Sequence, residues 1–254
     1  MILNKKFQKD FLGKGYCIVK IKNLKSLDYI KNKIIKLSGE KVLNNYHKNV
    51  ALSSLNKNRL NIFKNINQDE KFRKHYFNIF ESFLDEIIGN EISMQNKINL
   101  NIQIPKDTTS VLEMHADSYA GESNYEIISW VPIVNVYKTK SMYVLNLKKT
   151  QIIEDKLSKF NKIGTDAIFS KYRKQFKFLK INYGEALIFS ANILHGNKQN
   201  LTKETRWSLN CRFKSLFAPA NRNTTSKNFS FMYEHLKMKP ATILGLEYKD
   251  PIFK

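Results

Sequence analysis

Hydrophobic positions along the first ninety residues recur at helical spacing. Leu27, Ile30, Ile34, Ile35 and Leu37 approximate one stripe, stopped by Ser38-Gly39. Phe72, Tyr76, Ile79, Phe80, Phe83, Leu84 and Ile87 repeat at threes and fours and stop at Gly89-Asn90. Both patterns predict amphipathic helices, with their aromatics in a core. The period changes at Lys97. From Ile98 to Ile104 apolar residues alternate strictly with Asn99, Asn101 and Gln103, which predicts a strand. Further strands are predicted over 127–136, 142–147, 176–181, 186–189 and 206–213, with Pro132 placing its strand at an edge or bulge. A basic helical insertion is expected over 154–174. The segment 218–254 reads as a tail of turns with a short helix near Phe231–Leu236.

Helices first and strands afterwards predict an α+β fold: a double-sheet, jelly-roll barrel with a helical N-terminal region packed on it. No linker or internal repeat divides the chain, so one domain is expected over 1–254. Residues 1–95 would be helical support, 96–217 the barrel and 218–254 the tail.

Within that frame, two stretches carry candidate chemistry. In Val111-Leu-Glu-Met-His-Ala-Asp117, His115 and Asp117 lie two apart, so on extended backbone they face the same way. His195 follows the apolar run that starts at Gly184 and precedes Gly196. Two imidazoles and a carboxylate are the facial set that holds non-haem Fe(II) with positions open. Eleven residues on, Arg206 shares one strand face with Ser208, Asn210 and Arg212, while Trp207, Leu209, Cys211 and Phe213 share the other. Such a polar face normally meets solvent; in a barrel with a polar site inside it would turn inward. Arg206 would then offer a guanidinium fork to a carboxylate.

The order His-x-Asp, distal His-Gly, then Arg resembles the Fe(II)/2-oxoglutarate-dependent dioxygenases, in particular their phytanoyl-CoA-hydroxylase-like branch. The stretch from His115-Ala-Asp-Ser-Tyr through Trp130-Val-Pro to Tyr143 is similar to the 2OG-Fe(II) oxygenases of sporadic bacterial carbohydrate-biosynthesis clusters. The resemblance implies a double-stranded β-helix with His115, Asp117 and His195 as catalytic iron ligands. It also implies 2-oxoglutarate held at its far carboxylate by Arg206, with Ser141 and Gln103 assisting, and O2 as the oxidant. Substrate contacts would fall to Tyr119, Asn101, Asn210 and Arg212, with Glu122 and Asn197 as further candidates. The implied reaction oxidises a carbohydrate or small polar metabolite in surface-polysaccharide or sugar-metabolite biosynthesis. Two alternatives stay open: a nucleic-acid or modified-base oxidase of the same superfamily, and a non-catalytic jelly-roll binding protein.

Charge modifies this picture only in part. The formal net charge is +21, with 18 Lys/Arg against 5 Asp/Glu through residue 80 and 12 against 3 over 138–180. Residues 111–137 instead hold Glu113, Asp117, Glu122 and Glu126 and no Lys or Arg. The presumed metal segment is an acidic island in a basic chain. A cationic surface suits an anionic or sugar-linked small molecule, and the distance in sequence between the basic blocks and the His-x-Asp stretch argues against nucleic acid. Cys17 and Cys211 make no CxxC pair or disulfide framework, and neither a secretory signal nor a membrane span is visible, so the expected compartment is the cytoplasm. Oligomeric state is not readable.

Overall fold

The computed structural model describes residues 5–157, 165–219 and 232–248. The helices are α1 (Lys5–Lys14), α2 (Leu24–Ser38), α3 (Tyr46–Asn49), α4 (Leu52–Asn67), α5 (Glu70–Ile87), α6 (Leu147–Leu157), α7 (Thr165–Tyr172) and α8 (Pro240–Glu247). The strands are β1 (Tyr16–Lys20), β2 (Ile92–Gln95), β3 (Asn99–Gln103), β4 (Ile127–Pro132), β5 (Tyr143–Val144), β6 (Lys177–Phe178), β7 (Glu185–Ser190), β8 (His195–Gly196), β9 (Arg206–Ser215) and β10 (Tyr233–Lys237). Both predicted N-terminal helices form. Gly39 ends α2 in the left-handed conformation that a side chain disfavours, and Asp69 caps α5 by accepting the Phe72 N–H.

Among the described residues, seven strands make one antiparallel sheet in the order β1-β7-β4-β9-β2-β10, with β3 beside β2 on the same edge of β9. A smaller sheet runs β6-β5-β8 and is extended by bridges His115–His195 and Val136–Ile181. Two antiparallel sheets face to face, with helices outside, are the expected α+β jelly roll. The outer face of the large sheet carries Trp207, Leu209, Cys211 and Phe213, all fully buried. Helical side chains close over it. Tyr46 meets Trp207 edge-on, the Tyr76 hydroxyl donates to Ser129 O at 3.1 Å, and the Trp207 Nε1–H donates to Leu43 O at 3.0 Å.

Several expectations are corrected. Phe231 lies outside the described residues, and 233–237 form a strand, not a helix; the tail helix comes later, behind Pro240. The edge of β2 offers free backbone groups, and pairing with them outweighs local preference. Strands β1 and β2 were not expected within the helical region. Pro132 is on neither an edge strand nor a bulge: β4 lies between β7 and β9, and Pro132 is its last residue, beyond the Trp130–Leu187 pair where the pairing of β4 with β7 stops. Its missing N–H therefore breaks no ladder. The 142–147 strand shrinks to two residues, because α6 starts at Leu147 rather than inside 154–174.

Trp207→Phe keeps the apolar face but opens a gap and removes the indole N–H bond to Leu43 O. Urea unfolding should show a loss of about 2–4 kcal/mol; an unchanged midpoint would contradict this account of the helix–sheet seam.

Candidate metal centre

Backbone pairing builds the site. His115 and His195 exchange N–H···O bonds of 3.0 and 2.9 Å, which sets their rings side by side with centroids 4.3 Å apart. Asn197 tightens the same seam, accepting the Leu112 N–H at 2.6 Å and donating to Ser110 O at 3.2 Å. Gly196 is required there, since a Cβ would sit 2.9 Å from both Leu112 O and Glu113 O. Asp117 opens a 3-10 turn, Asp117–Ala120, and the Ser118 N–H donates to Ala191 O.

Each ring nitrogen Nδ1 faces a backbone carbonyl, Glu113 O at 2.8 Å for His115 and Ile193 O at 2.9 Å for His195. A carbonyl only accepts, so Nδ1 carries the proton and Nε2 keeps its lone pair. Both Nε2 atoms point at Asp117 Oδ1, at 3.3 and 3.7 Å. The three ligand atoms lie within 4.8 Å of one another. Burial pushes His195 down to about 4, which keeps it neutral as a ligand must be. Burial alone would raise Asp117, but the two imidazoles and the Arg212 guanidinium beside it outweigh that and hold the carboxyl well below its usual range. The donor set fits a divalent metal that accepts nitrogen and oxygen.

The polar face of β9 does turn inward. Arg206 is 2% exposed and donates from Nη2 to Asn101 Oδ1 at 2.7 Å, while Nε and Nη1 have no protein partner. Burial lowers its pKa to about 9, a sign of how little compensates the charge. Gln103 sits opposite Arg206 in register, donating to Lys198 O at 2.8 Å and leaving Oε1 unpartnered. Ser208, one inward position along, and Ser141, at the end of the Lys138–Lys140 turn, are also buried with unpartnered hydroxyls. The unmatched buried guanidinium and the unmatched hydroxyls leave N–H and O–H donors of the kind a carboxylate accepts, whereas the free Gln103 Oε1 is itself an acceptor.

The start of β9 is anchored from outside. Fully buried Lys140 donates to Glu204 Oε2 at 2.7 Å and Asn44 Oδ1 at 3.1 Å, and the Thr205 N–H donates to Asn44 O. The other expected contact residues divide. Asn210 is tied to Asn99 on the inner face at 2.8 Å. Tyr119 is half exposed and donates to Glu154 on α6 at 2.6 Å. Arg212 binds Asp117, its Nε donating to Oδ2 at 3.1 Å.

Behind Arg212 stands a group the sequence reading did not assemble: Glu122, Glu126, Gln95 and Tyr233. Burial first, then repulsion from Glu122, pushes the Glu126 carboxyl up to about 7. Only Ser208 had a readable signal, its shared parity with Arg206.

No protein-family model and no curated protein sequence matches the chain. Solved structures share its fold. HygX from Streptomyces hygroscopicus, with nickel and 2-oxoglutarate bound, is 9% identical over 85% of this chain and 88% of that one, with a TM-score of 0.54. It has also been crystallised with nickel, 2-oxoglutarate and hygromycin B together. The non-heme alpha ketoglutarate dependent epimerase SnoN from nogalamycin biosynthesis is 14% identical over 89% and 87%, with a TM-score of 0.57. The carbocyclase SnoK from the same biosynthesis is 9% identical over 93% and 97%, with a TM-score of 0.56. At these identities the likeness establishes the fold.

Glu126 titrates above the ordinary carboxyl value of 4.5, so the folded state prefers it protonated. Its contribution is fully present below pH 4.5 and is lost as pH rises through about 7. Glu126→Gln, which cannot ionise, should therefore gain stability relative to the parent between pH 5 and 8, by up to about 3 kcal/mol. Parallel unfolding curves for the two proteins across that range would refute the assignment.

Proposed function

We propose that the chain is an Fe(II)- and 2-oxoglutarate-dependent dioxygenase acting on a carbohydrate or another small polar metabolite. The observation that carries the reading is one inward-facing polar wall with two complementary halves. At one end His115, Asp117 and His195 converge; at the other, Arg206 waits buried with two unpaired N–H groups. A dicarboxylate that chelates a metal at one end and needs a cation at the other matches both halves. HygX, crystallised with nickel and 2-oxoglutarate and separately with iron, supports this, and its hygromycin B complex supports a small-molecule substrate.

When bound, iron with 2-oxoglutarate and O2 supplies an oxidant for an unactivated C–H bond, with succinate and CO2 as coproducts. The chain's own residues do the rest. His115, Asp117 and His195 would hold the metal, each with one ligand atom. Arg206, steadied by Asn101, pairs with the far carboxylate of 2-oxoglutarate, and Ser208, Ser141 and Gln103 complete its polar seat. Trp130 and Phe189, buried on the neighbouring inner positions, exclude water; Phe189 packs edge-on against His195. Asn99, Asn210 and Tyr119 offer hydrogen bonds to a polyhydroxylated substrate, and no helix among the described residues is long and apolar enough to cross a membrane.

Anaerobic addition of Fe(II) and 2-oxoglutarate should produce a visible metal-to-ligand charge-transfer band, and air should then release succinate even without substrate. Asp117→Ala should abolish both while preserving the fold by circular dichroism; a parent protein with neither signal rejects the oxygenase reading.

Arg206→Ala should act differently, weakening 2-oxoglutarate by about 30- to 1000-fold (roughly 2–4 kcal/mol). Metal affinity in the absence of 2-oxoglutarate should stay unchanged. An unaltered apparent affinity for 2-oxoglutarate removes Arg206 from that role.

A further inference from the structure

The remaining unexplained feature of the interior is the polar group that stands behind the triad and reaches into the C-terminal strand. Arg212 is its hub. Nε donates to Asp117 Oδ2, the oxygen turned away from the histidines, so Oδ1 alone faces the Nε2 atoms. Nη1 lies 3.6 Å from Glu122 Oε1 and 3.5 Å from Gln95 Oε1 on β2. The Tyr233 hydroxyl of β10 then donates to Glu122 Oε2 at 3.4 Å.

We infer that Glu122 and Tyr233, neither of which reaches the ligand cluster, are positioning residues for the metal centre. They act through Arg212 on the geometry and charge of Asp117, and strand β10 is thereby part of the centre. The inference rests on the metal reading above.

The electrostatic argument has a definite sign. A guanidinium against a metal-binding carboxylate repels a divalent cation a few ångströms away. Glu122, ion-paired with the same guanidinium, cancels most of that repulsion in a buried setting where screening is weak. It also fixes the fork so that Nε, not a wandering Nη, meets Oδ2. Tyr233 reaches the Glu122 carboxylate directly and also hydrogen-bonds Glu126, which in turn bonds Glu122, so its hydroxyl helps to orient that carboxylate. Its own strand is held down by contacts far from the metal: Lys237 pairs with Asp85 at 2.8 Å and with Glu81 at 3.2 Å, and Glu234 pairs with Arg73 at 3.1 Å. The His235 ring and Ser93 Oγ are 2.9 Å apart, and Lys214 lies over the Tyr233 ring. Pure packing would need only a ring at 233 and any side chain of similar size at 122.

The test is Co(II) titration of the full chain, without 2-oxoglutarate, following the d–d absorption bands of the bound ion. Glu122→Gln keeps shape and removes charge; Tyr233→Phe keeps the ring and removes the hydroxyl. Glu122→Gln should weaken Co(II) binding about 10-fold and shift the band pattern, the size expected for groups that support metal ligands. Tyr233→Phe should weaken it by about threefold, a smaller effect in the same direction. Unchanged affinity and spectra in both variants, whatever happens to their melting temperatures, overturn the inference while the metal reading stands. A weakened Glu122→Gln beside an unaltered Tyr233→Phe removes β10 from the centre. A parent protein that binds no Co(II) fails at the metal reading itself, and the inference falls with it.

Discussion

The strict alternation of β9 is the constraint on which the rest depends. Ten residues run from Arg206 to Ser215, and as far as Phe213 each inward side chain is polar where each outward one is apolar. The outward set is locked by the aromatic rings of the helical layer, so the strand has one register. A slip of one residue would drive Arg206 and Arg212 into the helices and Trp207 into the metal cavity. Arg206 and Arg212 are six positions apart, roughly 20 Å along the backbone at about 3.3 Å per residue. Their long side chains therefore serve opposite ends of the inward face from a single strand.

That placement decides where buried charge resides. The chain is strongly basic, yet the two guanidiniums of the interior have different fates. Arg212 is matched by Asp117 and Glu122 and is held firmly charged; Arg206 is met by one amide oxygen and left short of partners. A buried cation without a counter-ion is costly, and folds retain one where a ligand supplies the missing charge. Lys140 shows the opposite solution: it is just as deeply buried but is turned away from the cavity to Glu204. The acidic island of residues 111–137 thus has two internal clients, a divalent metal at Asp117 and the guanidinium of Arg212. The surplus lysines outside serve neither.

Much of this was legible because it is local. Helical stripes announced α2 and α5, strict alternation announced β3 and β9, and the two-residue spacing of His115 and Asp117 implied a shared direction before any pairing was known. What stayed hidden is what non-local pairing creates. Tyr16–Lys20 lies in a helix-rich region and becomes a strand because β7 offers an edge. Tyr233–Lys237 becomes one because β2 does. Glu122, Gln95 and Tyr233 come from three separate segments, and no spacing rule links them to Arg212. The inward direction of Arg212 follows from strand parity and is observed, but parity gives a direction and not the group at the end of it, here Asp117.

The same reasoning accounts for a fold shared at 9–14% identity with solved structures. An alternating strand tolerates many apolar residues outward provided volume and pattern persist. The inward face needs a few side chains at fixed parity, and the triad needs one antiparallel exchange between His115 and His195 with a glycine beside it. Those demands occupy a handful of positions scattered over about a hundred residues, too sparse to generate sequence similarity along the chain. The residues of the helical layer and of the basic surface are free to differ, provided that β9 is pinned in register and the carboxylate of Asp117 is held from behind. Sequence drift and conserved geometry are therefore compatible here because geometry is fixed by strand parity, which survives substitution, and not by the identity of most residues that produce it.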